Sequence, residues 1–274
     1  MRRLLAKTRI VVGLLLIFAV LGISQPEEAF PARVMRWYDG DTAQIRIVGK
    51  PPSGIAPYET VRLLGINTPE VGEPLSEEAT RFFRTLTMGK TVYVELSPWE
   101  RRDNHSRLLA YLWVETPEGW VMVNEELLRA GLARLLVYYP ELEKHYCRFL
   151  RALVDAQVEK KGLWAKFPEP ITISELEADP LVYVTEVATV VFTVSRVGED
   201  RDGWSLWAAE SRYGFRAVLS PEPCMGLALL QSLRPEELVG KKVAVSGEVR
   251  WESLYGGPRI VVYFPEQLEV WEEE

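Results

Sequence analysis

Short strand-like segments separated by turn residues constrain the fold of this chain more than any other feature. A strand pattern over residues 32–48 is broken at Asp39-Gly40-Asp41, where glycine supplies the permissive backbone of a turn. A loop rich in Pro, Gly and Ser at residues 49–57 precedes a second apolar strand at residues 60–66. Further strands are predicted at residues 91–96 and 108–114. The first half of the chain therefore predicts a sheet of short strands.

Three helices are predicted between and after these strands. Ser76 is the predicted N-cap of a helix that runs to about residue 88, and Asn124 is the predicted N-cap of a helix that Gly131 ends. A third helical stretch covers residues 141–160 and is closed by Gly162. Short strands with interposed helices favour a mainly β, α+β fold built on a closed five-stranded OB-type barrel, rather than a parallel sheet.

Composition bounds the domain organisation and the partners. The 274 residues, 47% of them hydrophobic, suffice for two modest domains, each with its own core. The net charge of -7 excludes a protein that coats nucleic acid non-specifically through many Lys and Arg side chains. By segment the charge is +4 over residues 1–24, -1 over residues 25–168 and -10 over residues 169–274. The balanced middle segment can still hold a local basic site.

The N-terminus predicts export. Four basic residues within the first nine are followed by an uncharged apolar run at residues 10–23. This run is shorter than the roughly 18 residues of a spanning helix and fits a signal peptide over residues 1–24, cleaved after Ser24, with a linker at 25–31. The predicted location is therefore secreted or extracytoplasmic. The alternative is an uncleaved membrane anchor at residues 10–23, which would give the protein a transient membrane contact.

Only two cysteines occur, Cys147 and Cys224, so one disulfide can form at most. The two histidines, His105 and His145, have no zinc-ligand spacing with either cysteine. Structural zinc is therefore not expected.

Three segments carry side chains suited to catalysis. They read Tyr-Asp-Gly-Asp-Thr at residues 38–42, Val-Arg-Leu-Leu-Gly-Ile-Asn-Thr-Pro-Glu at 61–70 and Asp-Asn-His-Ser-Arg-Leu-Leu-Ala-Tyr at 103–111. In that order they resemble the three active-site segments of the staphylococcal nuclease (thermonuclease) family. Landmarks at residues 123–125, 131–133 and 161–164 extend the resemblance over residues 32–168. It implies an OB-fold catalytic domain at 32–168 and an endonuclease of the thermonuclease (micrococcal nuclease) type, a hydrolase acting on ester bonds.

The predicted catalytic residues are Arg62, Glu70 and Arg107. Hydrolysis of a phosphodiester requires neutralisation of charge on the phosphoryl oxygens and a positioned water. Each arginine presents a planar fork of donors that can bridge two phosphate oxygens, and the resemblance assigns both arginines that role. Glu70 resembles the family's glutamate that orients or deprotonates the attacking water. Read singly, the arginines could be surface salt bridges and Glu70 a solvated turn residue.

The resemblance also implies a Ca²⁺ site made of Asp41, the side chain of Asn67 and the main-chain carbonyl of Thr68. Calcium accepts carboxylate and carbonyl oxygens alike. The family has aspartate at the position of Asn67, so calcium is expected to bind more weakly here or to depend on bound nucleotide. Asp39 either supplies nearby charge or forms the turn beside Gly40.

Candidate substrate contacts surround this core. Asn104, His105 and Ser106 replace the family's Lys-Tyr-Gly, so a lysine contact and a tyrosine contact to phosphate are in doubt. His105 could bond phosphate or be simply solvated. Of the family's two nucleotide-flanking tyrosines, the first position is Val137 and the second is Tyr139, which could stack on nucleotide.

The C-terminal segment predicts a second domain. Acidic and proline-rich residues 169–180 are typical of a linker. Residues 181–274 contain five β-rich runs, at 182–197, 204–208, 215–219, 242–250 and 259–264, with a helix near 222–233. This order favours a small OB-like accessory barrel. Residues 239–249 resemble OB-type nucleic-acid-binding domains appended to bacterial nucleases. The aromatic side chains Trp204, Trp207, Tyr213 and Phe215 could form a stacking platform or the core of this barrel.

The sequence therefore predicts an exported, monomeric, calcium-dependent nuclease that cleaves DNA and RNA with little sequence preference. By resemblance its products carry 3'-phosphates. The alternative is a catalytically weak or inactive nuclease-like module that binds nucleic acid or a protein partner. The joint presence of Asp41, Arg62, Glu70 and Arg107 favours the enzyme, whereas Asn67 favours the alternative.

Overall fold

The computed structural model describes residues 26, 28–137, 144–165, 169–184, 186–200, 203–219, 234–252, 257–263 and 267–271. The predicted signal peptide or anchor, Tyr139 and the predicted helix near residues 222–233 lie outside the described residues. Among the described residues, no helix has the length and apolar character needed to span a membrane.

The first half of the chain folds into a closed barrel with three helices. Its strands are β1 Phe30–Trp37, β2 Thr42–Ile47, β3 Tyr58–Leu63, β4 Ile66–Asn67, β5 Val92–Leu96, β6 Leu108–Thr116, β7 Gly119–Met122 and β8 Arg134–Leu135. Its helices are α1 Ser76–Thr87, α2 Val123–Arg129 and α3 Tyr146–Val158. The strands follow the order β3-β2-β1-β5-β6-β7, and pairing of β3 with β6 closes a five-stranded barrel. Among the described residues, strands β4 and β8 pair only with each other.

Alternating side chains build the core of this barrel. In β2, Ala43, Ile45 and Ile47 are buried, and in β5, Val92 and Val94 are buried. The helices cover the barrel with apolar faces of their own, because each contributes buried side chains at helical spacing. Burial on one face per element explains why strand and helix periodicities are both visible in the sequence.

Both predicted N-cap residues are wrong. Leu75 caps α1 in the left-handed conformation (φ 68), and Ser76 Oγ instead donates to the carbonyl of Glu73 at 2.8 Å. Asn124 lies inside α2, fully buried. Its Nδ2 donates to the carbonyl of Leu64 at 2.9 Å and its Oδ1 accepts from the amide of Leu112 at 3.1 Å. The asparagine therefore ties α2 to the barrel, a tertiary role that capping rules do not predict.

Gly131 ends α2 as predicted, with φ 68. It faces Gly162, and a Cβ on Gly131 would lie 2.2 Å from the carbonyl oxygen of Lys161. A Cβ on Gly162 would lie equally close to the carbonyl oxygen of Gly131. The two glycines therefore allow the backbone after α3 to approach the end of α2.

The second half forms another closed barrel. Its strands are β9 Ile171–Thr172, β10 Val187–Asp200, β11 Gly203–Ala208, β12 Arg216–Leu219, β13 Lys242–Glu252, β14 Gly257–Val262 and β15 Leu268–Val270. Its helices are α4 Ile173–Ala178 and α5 Pro180–Tyr183. The order is β15-β13-β14-β12-β11-β10-β9, and pairing of β10 with β13 closes five strands. The predicted fold class, an OB-like α+β barrel followed by a second small barrel, is confirmed.

The structure differs from the predicted linker over Ile171–Ala178. Strand β9 pairs in parallel with β10, and Ile173 and Leu176 of α4 are buried in the second hydrophobic core. Thr172 and Glu175 form a capping box at the start of α4. The acidic composition that predicted a linker therefore belongs to a short amphipathic helix.

Of the four aromatic residues considered for the second barrel, the structure assigns two to its core. Phe215 is fully buried in the core and Trp204 packs against that core, whereas Tyr213 is exposed. Cys147, in α3, is disulfide-bonded, and the only other cysteine, Cys224, lies outside the described residues.

Candidate active site

Three strand ends converge at one end of the first barrel. In the β2–β3 ladder Thr42 pairs with Arg62, and in the parallel β3–β6 ladder Arg62 pairs with Leu109. Asp41 directly precedes β2 and Arg107 directly precedes β6. The strand register therefore brings Asp41, Arg62 and Arg107 together although they are far apart in sequence.

Asp41 is the buried carboxylate of this site, with 5% of its surface exposed. Its Oδ2 accepts from the backbone amide and the hydroxyl of Thr68, at 2.9 and 3.1 Å. Its Oδ1 accepts from the hydroxyl of Thr42 at 3.0 Å and lies 3.1 Å from Nε of Arg62. Burial raises the pKa of Asp41 above its ordinary value and outweighs the guanidinium of Arg62, which lowers it.

The turn before Asp41 is held by Asp39. Its Oδ1 accepts from the backbone amides of Asp41 at 2.9 Å and Thr42 at 2.6 Å, so Asp39 is the turn former. A Cβ on Gly40 would lie 2.7 Å from Cβ of Ala79 and 2.8 Å from Oγ1 of Thr68. Only glycine lets this turn approach the segment that carries Thr68.

Arg62 is held by acceptors from the protein itself. Its Nη1 donates to the carbonyls of Leu63 at 2.6 Å and Ile66 at 2.8 Å, and its Nη2 donates to Oδ1 of Asn67 at 2.8 Å. With Nε on Asp41, the guanidinium is fixed in place and its side chain is 12% exposed. Among the described residues, four of its five N–H groups are engaged in this way, and one N–H of Nη2 remains for a phosphate.

Arg107 is the more open of the two arginines, with 30% of its side chain exposed. Its Nε donates to Oδ2 of Asp103 at 2.7 Å, and its Nη1 donates to Oγ1 of Thr42 at 3.4 Å. Because Thr42 Oγ1 also donates to Asp41, the hydroxyl links the two charged groups. Burial raises the pKa of Asp103, but hydrogen bonds from the backbone and side chain of Arg107 outweigh it and hold that pKa below its usual value.

Thr42 and Asp103 belong to this network although sequence reasoning assigned them no role. Both lie within the motif segments, at residues 38–42 and 103–111. The available signal was spacing, since Asp103 lies four residues before Arg107 across a short loop. A carboxylate that close to a functional arginine is a candidate for holding its orientation.

Glu70 lies outside the hydrogen-bonded network. It is exposed after Pro69, and its backbone amide donates to Oε2 of Glu73 at 2.8 Å. No described residue forms a hydrogen bond or an ion pair with the Glu70 carboxylate. Its oxygens are therefore open to water.

A cleft of about 690 Å³ adjoins this loop, between the turn after β1 and helix α1. Its lining includes Tyr38, Glu73, Arg81 and Arg84. Asp41, Arg62 and Arg107 do not line it, so the cleft borders the network and does not contain it.

The predicted calcium ligands are brought close together. Asn67 and Thr68 lie beside Asp41, because Arg62 bonds both Asp41 and Asn67 while Thr68 donates twice to Asp41. The atoms that would coordinate the metal are all oxygens, which suits a hard cation. Asp41 is the sole carboxylate of this set, and the described residues contain no group of three or more His, Cys, Asp and Glu arranged for a metal. The donor chemistry fits calcium, with Arg62 as a competitor for the same oxygens.

The predicted substrate residues are only partly placed. Asn104 and His105 are exposed in the loop that Asp103 organises, where the backbone amide of His105 donates to Oδ1 of Asp103 at 3.0 Å. Ser106 has φ 61 in this loop. Val137 packs partly buried against the first core, and Tyr139 lies outside the described residues.

Comparison with known proteins matches this barrel. The family model described as "Staphylococcal nuclease homologue" matches residues 60–166. The chain is 32% identical over 154 residues to "Thermonuclease" of Staphylococcus hyicus, covering 54% of this chain and 83% of that protein.

Two similar proteins come from Bacillus subtilis. The chain is 33% identical over 137 residues to "SPbeta prophage-derived endonuclease YokF", covering 48% of this chain and 43% of that protein. It is 32% identical over 137 residues to "Endonuclease YncB", covering 48% of this chain and 60% of that protein. The chain thus spans about half the length of these two relatives. The match over most of the Staphylococcus hyicus thermonuclease shows that the chain belongs to the staphylococcal nuclease family.

Proposed function

We propose that this protein is an exported, calcium-dependent nuclease that hydrolyses phosphodiester bonds of DNA and RNA and leaves 3'-phosphates. The observation that carries the proposal is the network from Arg107 through Thr42 and Asp41 to Arg62. It fixes two guanidinium groups around one buried carboxylate at the end of a rigid barrel. The family membership of the chain and the names of its relatives support the same class of reaction.

The reaction is the attack of water on phosphorus. Arg107, and Arg62 through its remaining Nη2 N–H, bind the non-bridging oxygens and stabilise the charge that grows on them. Glu70 takes the proton of the attacking water, because its carboxylate is open to solvent. The bond from phosphorus to the 5'-oxygen breaks, the 5'-oxygen leaves as a hydroxyl by taking a proton from solvent water, and the phosphate stays on the 3'-oxygen. Asp103 and Thr42 keep Arg107 in position through its Nε and Nη1.

Calcium would be held by Asp41, by Oδ1 of Asn67 and by the main-chain carbonyl of Thr68. When bound, it supplies positive charge that neutralises the phosphoryl oxygens. The chain itself keeps these oxygens in register, since both Thr68 donors lock residue 68 against Asp41.

Little sequence preference follows from the kinds of groups present. Guanidinium groups and a cation recognise phosphate, which carries no base identity. The disulfide at Cys147 supports export, because disulfides persist in oxidising compartments.

A catalytically weak module that binds nucleic acid or a protein is the second candidate, and one observation favours it. Arg62 already donates four of its five N–H groups to Asp41, Leu63, Ile66 and Asn67, so it can bridge two phosphate oxygens only by giving up one of these contacts. Asn67 also removes a negative charge from the cation site.

The test is hydrolysis of single-stranded DNA by the chain lacking residues 1–24, in calcium and in chelator. We expect turnover only with calcium and a loss of about 10²–10⁴-fold in Glu70→Ala, the range for removal of a general base. Glu78→Ala is the matched control, since Glu78 is also an exposed glutamate near the start of α1. Absence of turnover in both conditions, with Glu70→Ala equal to wild type, would overturn the nuclease proposal in favour of the binding module.

A further inference from the structure

The segment that carries Asn67 is held by a strand outside the barrel. In the part of the chain that the structure describes, strand β4 pairs only with β8, where Asn67 pairs with Arg134 and Ile66 pairs with Leu135. The amide of Leu136 also donates to the carbonyl of Gly65 at 2.9 Å. Any displacement of β8 therefore reaches the predicted cation ligands through this ladder.

The second barrel contacts β8 at two points. Nη2 of Arg250, in β13, donates to the carbonyl of Leu135 at 3.0 Å. Nη2 of Arg134 pairs with Oε2 of Glu186 at 3.2 Å. Arg250 thus contacts the β8 backbone, and Glu186 contacts a β8 side chain.

Both Arg250 and Glu186 are held by the same strand of the second barrel, β13. Arg250 is held by Oε2 of Glu248 at 3.1 Å, and the carbonyl of Glu186 accepts from the amide of Val249 at 2.8 Å. Burial disfavours the charge of Arg250, but Glu248 outweighs it and raises the pKa of the guanidinium. Because β13 pairs with three strands, β10, β14 and β15, it gives both contacts a well-supported base.

Arg134 needs this interface electrostatically. Its side chain is only 12% exposed, and its Nε is buried with no hydrogen-bond partner among the described residues. Glu186 supplies the only carboxylate that pairs with it in the part of the chain that the structure describes. A buried guanidinium without a counter-charge is costly, so loss of Glu186 would displace Arg134 and the ladder opposite Asn67.

We propose that the second barrel positions the cation-binding segment of the active site, with Arg250 and Glu186 as positioning residues acting through β8 and β4. The inference rests on the proposed function for its effect on catalysis, but the coupling from barrel to strand is a property of the fold alone. It gives the accessory barrel a role that does not require that barrel to bind nucleic acid.

The first test is amide hydrogen exchange, measured by mass spectrometry without calcium, on wild type, Arg250→Met and Glu186→Gln. We expect exchange in peptides covering residues 63–68 and 132–137 to accelerate about tenfold or more in both variants, because β8 and β4 would open more often without the contact to the second barrel. Amide exchange reports such local opening segment by segment. Peptides of α1 should keep their wild-type protection. Arg196→Met is the matched control, as Arg196 is an exposed arginine of the same barrel that lies over Trp207.

The second test is the calcium concentration for half-maximal DNA cleavage. We expect this calcium concentration to rise about five- to tenfold in both variants, a shift in the usual range for coupling between two sites. The KM for DNA should stay nearly unchanged. Arg250→Lys should restore part of the calcium response, because lysine keeps a donor for the carbonyl of Leu135. Unchanged exchange at residues 63–68 in both variants, or equal acceleration in α1, would overturn the positioning role. If exchange at residues 63–68 accelerates in both variants but the wild type does not cleave DNA, only the nuclease function is refuted and the positioning role stands.

Discussion

Two buried carboxylates of the first barrel have opposite electrostatics. Asp41 is 5% exposed and Glu95, in β5, is 4% exposed. Glu95 is surrounded by donors, with Nζ of Lys144 at 2.5 Å, Nε1 of Trp113 at 2.7 Å and Nε2 of His145 at 3.2 Å. Burial raises its pKa, but the hydrogen bonds of His145, Lys144 and Trp113 outweigh it and lower the pKa to about 2.

Among the described residues Asp41 pairs directly with one cation, Arg62, whose guanidinium is divided among several acceptors. Arg107 reaches Asp41 only through the hydroxyl of Thr42. The effect of burial therefore exceeds that of Arg62, and the pKa of Asp41 lies above its ordinary value. The difference separates a structural carboxylate, whose charge the protein neutralises by itself, from one that is left short of positive charge. Shortage of positive charge is the condition expected of a group that receives a cation or a substrate.

The largest effect should follow from Arg107→Met. Arg107 stabilises the phosphoryl charge but forms only a partly exposed ion pair, so DNA cleavage should fall by about 10³-fold, the loss typical of one oxyanion donor. The free energy of unfolding should change by less than about 1 kcal/mol, as for other exposed pairs. Single-turnover kinetics and urea unfolding measure the two quantities. Arg33→Met is the control, because Arg33 is an exposed arginine of β1 that does not line the cleft beside the site. An equal loss of activity in both variants would remove Arg107 from the site.

The Glu95 cluster should instead control stability at low pH. Because its folded pKa of about 2 lies below the ordinary value of 4.5, its contribution is complete above pH 4.5 and is lost as the pH falls towards 2. From roughly 1.4 kcal/mol per pH unit, the contribution is about 3 kcal/mol. Urea unfolding of wild type and Glu95→Gln should differ most above pH 4.5 and converge near pH 2. A difference that stays constant with pH would show that Glu95 is not held as an anion.

A smaller effect is expected for Asn67→Asp, which brings a second carboxylate beside Asp41. Each added carboxylate strengthens an oxygen site for calcium, so the dissociation constant should fall about tenfold, or roughly 1.4 kcal/mol. Calorimetric titration of calcium measures it. Unchanged affinity would mean that Arg62, which already bonds residue 67, neutralises the added charge and that the site does not use this position.

The sequence predicts local patterns well and tertiary uses of polar groups poorly. Strands β2 and β5 follow from alternation, because one face of each is buried. Asn124 fails as a cap because its amide bonds Leu64 and Leu112 across the barrel, which only the folded chain brings near. The acidic composition hid α4, although the Thr172–Glu175 capping box was readable.

The candidate site shows the same division. The motif segments contain Asp41, Arg62 and Arg107, and the strand register brings them together. The number of donors that Arg62 gives to its own backbone neighbours could not be predicted, since it depends on how residues 63–66 turn. The dependence of β4 on the second barrel was equally hidden, because Arg250 and Leu135 are distant in sequence.

The most direct test of the difference between the two carboxylates is the rate of single-stranded DNA cleavage against calcium concentration, for wild type, Asp41→Asn and Glu95→Gln. The wild type and Glu95→Gln should give the same calcium-dependent rise at neutral pH, whereas Asp41→Asn should lose at least about 10²-fold with no recovery at high calcium. A full calcium response in Asp41→Asn, or its loss in folded Glu95→Gln, would contradict the assignment of Asp41 as the functional carboxylate.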